Sequence, residues 1–167
     1  MSETETATRP TAHDVRTTLK YVVRGEKATF YAGNREASYW PGEEHQVVIH
    51  DLRPEARDLA LERNGFVLVD EASGTADYTD KDQLDRYCRA TEALVQRLTG
   101  AAKVISFGQI VRTSASGTHG HNQPAFGAHV DYGAKTVGDF ARLILGAEEA
   151  EQRLAGRHML INVWRPI

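Results

Sequence analysis

One cysteine, Cys88, is all the thiol chemistry this 167-residue chain carries. An internal disulfide is therefore excluded, and the composition fits a reducing cytoplasm. Long apolar runs are missing as well, so no segment reads as a bilayer-spanning helix. There is no basic excess: the formal net charge is -3, which leaves no electrostatic footprint for nucleic acid or an anionic membrane. The stretch from Met1 to Pro10 has no apolar h-region and does not read as a secretory signal. Internal repeats, low-complexity tracts and linkers are absent, and the length predicts one domain. At 26% charged and 41% hydrophobic residues the chain reads as an ordinary soluble globular protein.

Residues 1–14 read as a disordered tail and 15–167 as the single domain. Leu19 to Val23 and Ala28 to Tyr31 read as a strand pair around the polar turn Arg24-Gly25-Glu26-Lys27. A short strand over 46–50 and a helix over 53–63, ending at Asn64-Gly65, follow. Phe66-Val67-Leu68-Val69 has almost no polar face and predicts a strand inside a sheet. The clearest element is a helix over 82–98, where Leu84, Tyr87, Cys88, Thr91, Leu94, Val95 and Leu98 keep the three-and-four spacing of one buried stripe. Thr79 with Asp82 resembles a capping box, and Gly100 stands where a C-terminal cap belongs. On that stripe Cys88 reads as a buried structural thiol rather than a nucleophile. Strands are predicted over 103–112, 126–132 and 158–164, with a polar loop over 113–124. Helices over 136–145 and 148–154 are each closed by a glycine, Gly146 and Gly156.

The most informative feature lies in Phe126-Gly127-Ala128-His129-Val130-Asp131-Tyr132. In an extended strand residues two apart share a face, so His129 and Asp131 present an imidazole and a carboxylate together, with Val130 turned into the packing. These are two thirds of the facial triad that holds non-haem Fe(II) with open positions. A pair this short also arises by chance, and a structural hydrogen-bonded pair is its bland counterpart.

The neighbourhood adds specificity. Leu61-Glu62-Arg63-Asn64-Gly65-Phe66-Val67-Leu68-Val69, the loop from Ser73 to Asp80 with Asp77-Tyr78, Thr99 to Val104 leading to Phe107 and Val111-Arg112, His129-Val130-Asp131-Tyr132, and Gly156-Arg157 with Ile161-Asn162-Val163-Trp164-Arg165-Pro166 occur in that order. Together they resemble the CmcJ/NvfI-type oxygenases, related to gibberellin desaturase, within the Fe(II)/2-oxoglutarate-dependent superfamily. The resemblance covers roughly residues 45 to 167. It implies a mixed α/β chain with a β core: the double-stranded β-helix, or jelly roll, with flanking helices. It also implies an oxidoreductase of secondary metabolism that uses Fe(II), 2-oxoglutarate and O2 to hydroxylate or desaturate a small molecule. His129 and Asp131 would be the metal ligands; by residue chemistry alone, Arg112 and Arg165 are candidates for gripping 2-oxoglutarate, and His121 and Tyr132 candidate pocket residues. The family's distal His and its basic co-substrate anchor have no counterpart before Ile167, so the chain reads as lacking the C-terminal part of the fold.

Other readings stay open beside this one. His119-Gly120-His121 reads as loop histidines at a polar site mouth. It also echoes the His-x-His of a cupin, although the Glu a cupin wants is absent from 122–127. His158 reads as pointing to solvent or a carbonyl. Ordinary ion pairs serve Arg112 and Arg165 equally well. Trp164 and Phe107 read as core, and packing alone explains Tyr132 as well as a pocket role does. A non-catalytic relative acting as a partner-interaction module, or a zinc or cupin-like binder recruiting His119 or His121, are the alternative classes.

Overall fold

Val15–Val22 (β1) and Gly42–Ile49 (β2) pair antiparallel, Val15 opposite Ile49 and Val22 opposite Gly42. The computed structural model describes residues 13–29, 36–75, 77–112 and 127–166. Thr17, Leu19 and Val47 turn to the better-covered face of this ribbon. The other face is polar: the Gln46 amide donates to Thr18 Oγ1 at 2.7 Å, and Lys20 stands 3.7 Å from Glu44. At one end of the ribbon Asp14 accepts from the Asp51 backbone N–H at 3.0 Å and meets His50 Nδ1 at 2.9 Å.

Among the described residues the expected pairing of 19–23 with 28–31 is not formed. The turn at Arg24-Gly25 is present, with Glu26 N donating to Val23 O. Beyond it Thr29 makes an isolated bridge to Tyr39, and Phe30 and Tyr31 lie outside the described residues. The wider pairing wins because β2 sets Gln46 and Glu44 opposite Thr18 and Lys20, and cross-strand side-chain pairs decide register.

The helix expected over 53–63 is split. A 3-10 helix spans Arg53–Asp58 with Pro54 at its start, the chain extends at Leu59 and Ala60, and a single α-turn, α1, spans Leu61–Asn64. The Asn64 side chain draws the chain into this turn by accepting from Ala60 N at 2.9 Å. Gly65, at φ +76°, ends it where expected. Residues 66–69 form no strand, and Phe66 and Leu68 stay exposed, because a continuous apolar run signals a need for burial and not a partner.

Helix α2, Lys81–Thr99, matches its expectation closely. Its N-cap is Asp80, which accepts from Gln83 N at 2.8 Å, and not Thr79. The Thr79 hydroxyl is donated to Asp77 instead, which removes it from the cap. Gly100 closes the helix in the left-handed region at φ +67°. Along the predicted stripe Leu94 is buried, while Leu84, Tyr87, Cys88, Thr91 and Val95 are half-buried and Leu98 is exposed. Glu92 Oε1 accepts from both the backbone N–H and the hydroxyl of Ser106 at 2.8 Å, tying the following segment to this helix.

The chain divides into two compact units, one reaching Ala128 and one from His129 onward. The second holds α3, Ala134–Leu145, and α4, Ala147–Leu154, joined at Gly146 with φ +79°. Ala150 is fully buried, and Arg142 bridges to Glu151 Oε1 at 2.7 and 2.9 Å. The cap of α4 is Ala155 rather than Gly156.

None of 103–111, 128–132 or 158–164 is a strand. Arg112 makes only an isolated bridge, and Gly127 one to Lys20. These segments have the composition of strands but no neighbouring chain to complete a ladder, and the β1–β2 pair is the one sheet among the described residues, where the expected jelly-roll sheets are not formed. Trp164, expected in the core, is 76% exposed. Among the described residues, no helix is long and apolar enough to cross a membrane.

Candidate metal centre

The segment that carries the His-Asp pair is anchored just before it. Ala128 N donates to Lys20 O at 2.8 Å, and the Trp40 indole covers Gly127 so closely that a Cβ there would collide with Cζ2. Gly127 is therefore a close-approach glycine, needed because any side chain would collide with the ring.

His129 and Asp131 come together as expected: Nε2 and Oδ1 are 3.2 Å apart, both side chains about two fifths exposed. Val130, expected to turn into the packing, is instead 87% exposed.

The other carboxylate oxygen has its own partner. The Asn162 amide donates to Asp131 Oδ2 at 2.6 Å across 31 residues. Asn162 was legible only as part of a motif, because nothing local to an Asn in an extended segment names its distant acceptor. The two oxygens of Asp131 are thus divided, one toward the imidazole and one held by the amide.

The donor set fits a divalent first-row ion. Two ligands about 2.1 Å from one metal at a right angle stand about 3.0 Å apart, close to the 3.2 Å observed. Among the described residues no group of three or more His, Cys, Asp or Glu converges on one point, so the pair is what the described chain offers.

The remaining candidates are dispersed. Tyr132 is half-buried and meets the Phe140 ring edge-on at 5.7 Å, a packing contact next to the pair. Arg165 is half-buried and Arg112 exposed. His158 Nδ1 stands 3.0 Å from the Gly156 carbonyl, as anticipated. His119 and His121 lie outside the described residues.

Known proteins resemble this chain over most of its length. The family model described as "Oxidoreductase/YMDC permease-like domain" matches residues 10–167. Oxidoreductase AN1597 of Emericella nidulans is 34% identical over 136 residues, 74% of this chain and 45% of that protein. The Fe(II)/2-oxoglutarate-dependent dioxygenase nvfI of Aspergillus novofumigatus is 32% identical over 130 residues, 74% of this chain and 46% of its own length. The solved structure of a variant of the iron and alpha-ketoglutarate-dependent endoperoxidase NvfI superposes with a TM-score of 0.71 at 23% identity, covering 89% of this chain and 58% of that one, so the two share a fold over this region. The chain spans about half the length of the curated relatives it matches. These relatives bear out the resemblance to the CmcJ/NvfI-type proteins. On the match over residues 10–167, the chain belongs to the oxidoreductase/YMDC permease-like domain family.

Proposed function

We propose that this chain supplies His129 and Asp131 as iron ligands of an Fe(II)/2-oxoglutarate-dependent oxygenase acting on a small natural product. The observation that carries the reading is the 3.2 Å approach of imidazole and carboxylate, with the second carboxylate oxygen engaged by Asn162. The names of relatives support it: phiK and tstK are alpha-ketoglutarate-dependent dioxygenases, and efuI is a hydroxylase/desaturase. Iron with 2-oxoglutarate and O2 would supply the oxidation of an unactivated C–H bond.

The chain's own residues have the supporting tasks. His129 holds the metal through a neutral ring nitrogen, and Asp131 offsets part of its charge. A third protein ligand comes from outside the described residues. Arg112 and Arg165 are the proposed anchors of the 2-oxoglutarate carboxylate, for which a guanidinium fork is well shaped. His121 and Tyr132 are proposed to face the substrate. The single domain is proposed to run over 15–167 as part of a double-stranded β-helix, working in a reducing cytoplasm where Cys88 remains a thiol.

The test is succinate formation coupled to O2 uptake by the Fe(II)-loaded protein, with candidate natural products as prime substrates. Asp131→Ala is expected to abolish both, and Arg165→Ala to raise the KM for 2-oxoglutarate. Turnover that survives Asp131→Ala would overturn the assignment.

A further inference from the structure

We propose that Asn162 is the positioning residue of the metal site: its amide holds Asp131 Oδ2 so that the carboxylate meets a metal through Oδ1 alone. This rests on reading His129 and Asp131 as metal ligands. An ionised carboxylate offers two oxygens with about four lone-pair sites between them, and left alone it can bind a cation through either or both. Here the choice is made before any cation arrives. The Asn162 Nδ2 donates to Oδ2 at 2.6 Å, while Oδ1 stands 3.2 Å from His129 Nε2, the side on which the two ligands converge.

The consequence is stoichiometric. A facial triad leaves three positions of an octahedron for other ligands. A carboxylate binding through both oxygens would take one of them. By occupying Oδ2, Asn162 keeps that position open. A neutral amide suits the task because it orients the carboxylate without neutralising it, as a Lys or Arg at the same place would.

Co(II) titration of the intact protein tests this, read by affinity and by the visible absorption spectrum of the bound ion, which reports a change in its ligand set. Asn162→Leu, which keeps the shape without donors, is expected to weaken Co(II) binding by about 10–100-fold. It is also expected to change the absorption spectrum of what does bind, with the melting midpoint of the metal-free protein unchanged. Asn162→Gln, which keeps an amide, should recover part of the affinity. His129→Ala serves as the reference. If His129→Ala abolishes binding while Asn162→Leu binds as wild type, or weakens binding only in step with a lower metal-free melting midpoint, the positioning role is overturned. If wild type binds no Co(II), or His129→Ala binds unchanged, the reading of the ligand pair fails and this inference fails with it.

Discussion

Trp40 lies across the backbone of Gly127, leaving no room for a side chain at the position two residues before His129. The same ring sits against Gly42, where a Cβ would stand 2.9 Å from the indole nitrogen. Two glycines thus make a slot for one indole, and the hydrogen bond from Ala128 to Lys20 fixes the chain as it leaves that slot.

Gly127→Ala is therefore expected to destabilise the protein by about 1–3 kcal/mol through overpacking. Trimming the ring with Trp40→Leu should make the alanine cheaper, giving a coupling of about 0.5–3 kcal/mol in a double-mutant cycle. Denaturant unfolding of the four proteins measures it. Strict additivity would mean that the ring is not what Gly127 accommodates.

Helix α2 is closed at both ends by local chemistry. Asp80→Ala removes the acceptor for Gln83 N and should cost about 1 kcal/mol. Gly100→Ala forces a Cβ into the left-handed region and should cost about 1–2 kcal/mol. Thr79→Ala leaves the cap itself in place, so its unfolding midpoint should change less than that of Asp80→Ala. The reverse order would restore Thr79 as the cap.

Acid should weaken the fold in a defined window. Asp77 is held below its ordinary value of 3.8 chiefly by the Thr79 hydroxyl, with the Thr79 backbone N–H adding to it. Asp85 and Asp139 are lowered chiefly by hydrogen bonds from Lys81 and Lys135, and Asp51 by one from Arg53. A depressed carboxylate contributes stability above its unfolded value of about 3.9 and loses it as pH falls through the folded value. The melting midpoint should thus stay level from pH 7 to about 5 and decline below about 4, with a shallower decline in Asp77→Asn. A decline already under way at pH 6 would contradict this origin.

What the sequence disclosed follows the range of the forces involved. The stripe from Leu84 to Val95, the cap at Gly100 and the turn at Asn64-Gly65 are local, and each stands where spacing and composition put it. His129 and Asp131 do meet at 3.2 Å, although the segment that carries them is not the expected strand and Asp131 stands in a bend. The partner of β1 was not legible, because a nearby turn suggested 28–31 while cross-strand pairs with 42–49 decided the register. Residues 103–112 and 158–164 have the apolar composition that predicted strands but form none, because a ladder is a property of two chains and no single segment reveals its neighbour. Asn162 was hidden for that reason too, its acceptor lying 31 residues away.

The central claim is that His129 and Asp131 bind iron as a pair, and anaerobic isothermal titration with Fe(II) tests it most directly. One Fe(II) per chain is expected for wild type, with binding lost in both His129→Ala and Asp131→Ala while the far-UV circular dichroism of each variant is unchanged. Binding of undiminished affinity in either variant would place the iron elsewhere and contradict the account.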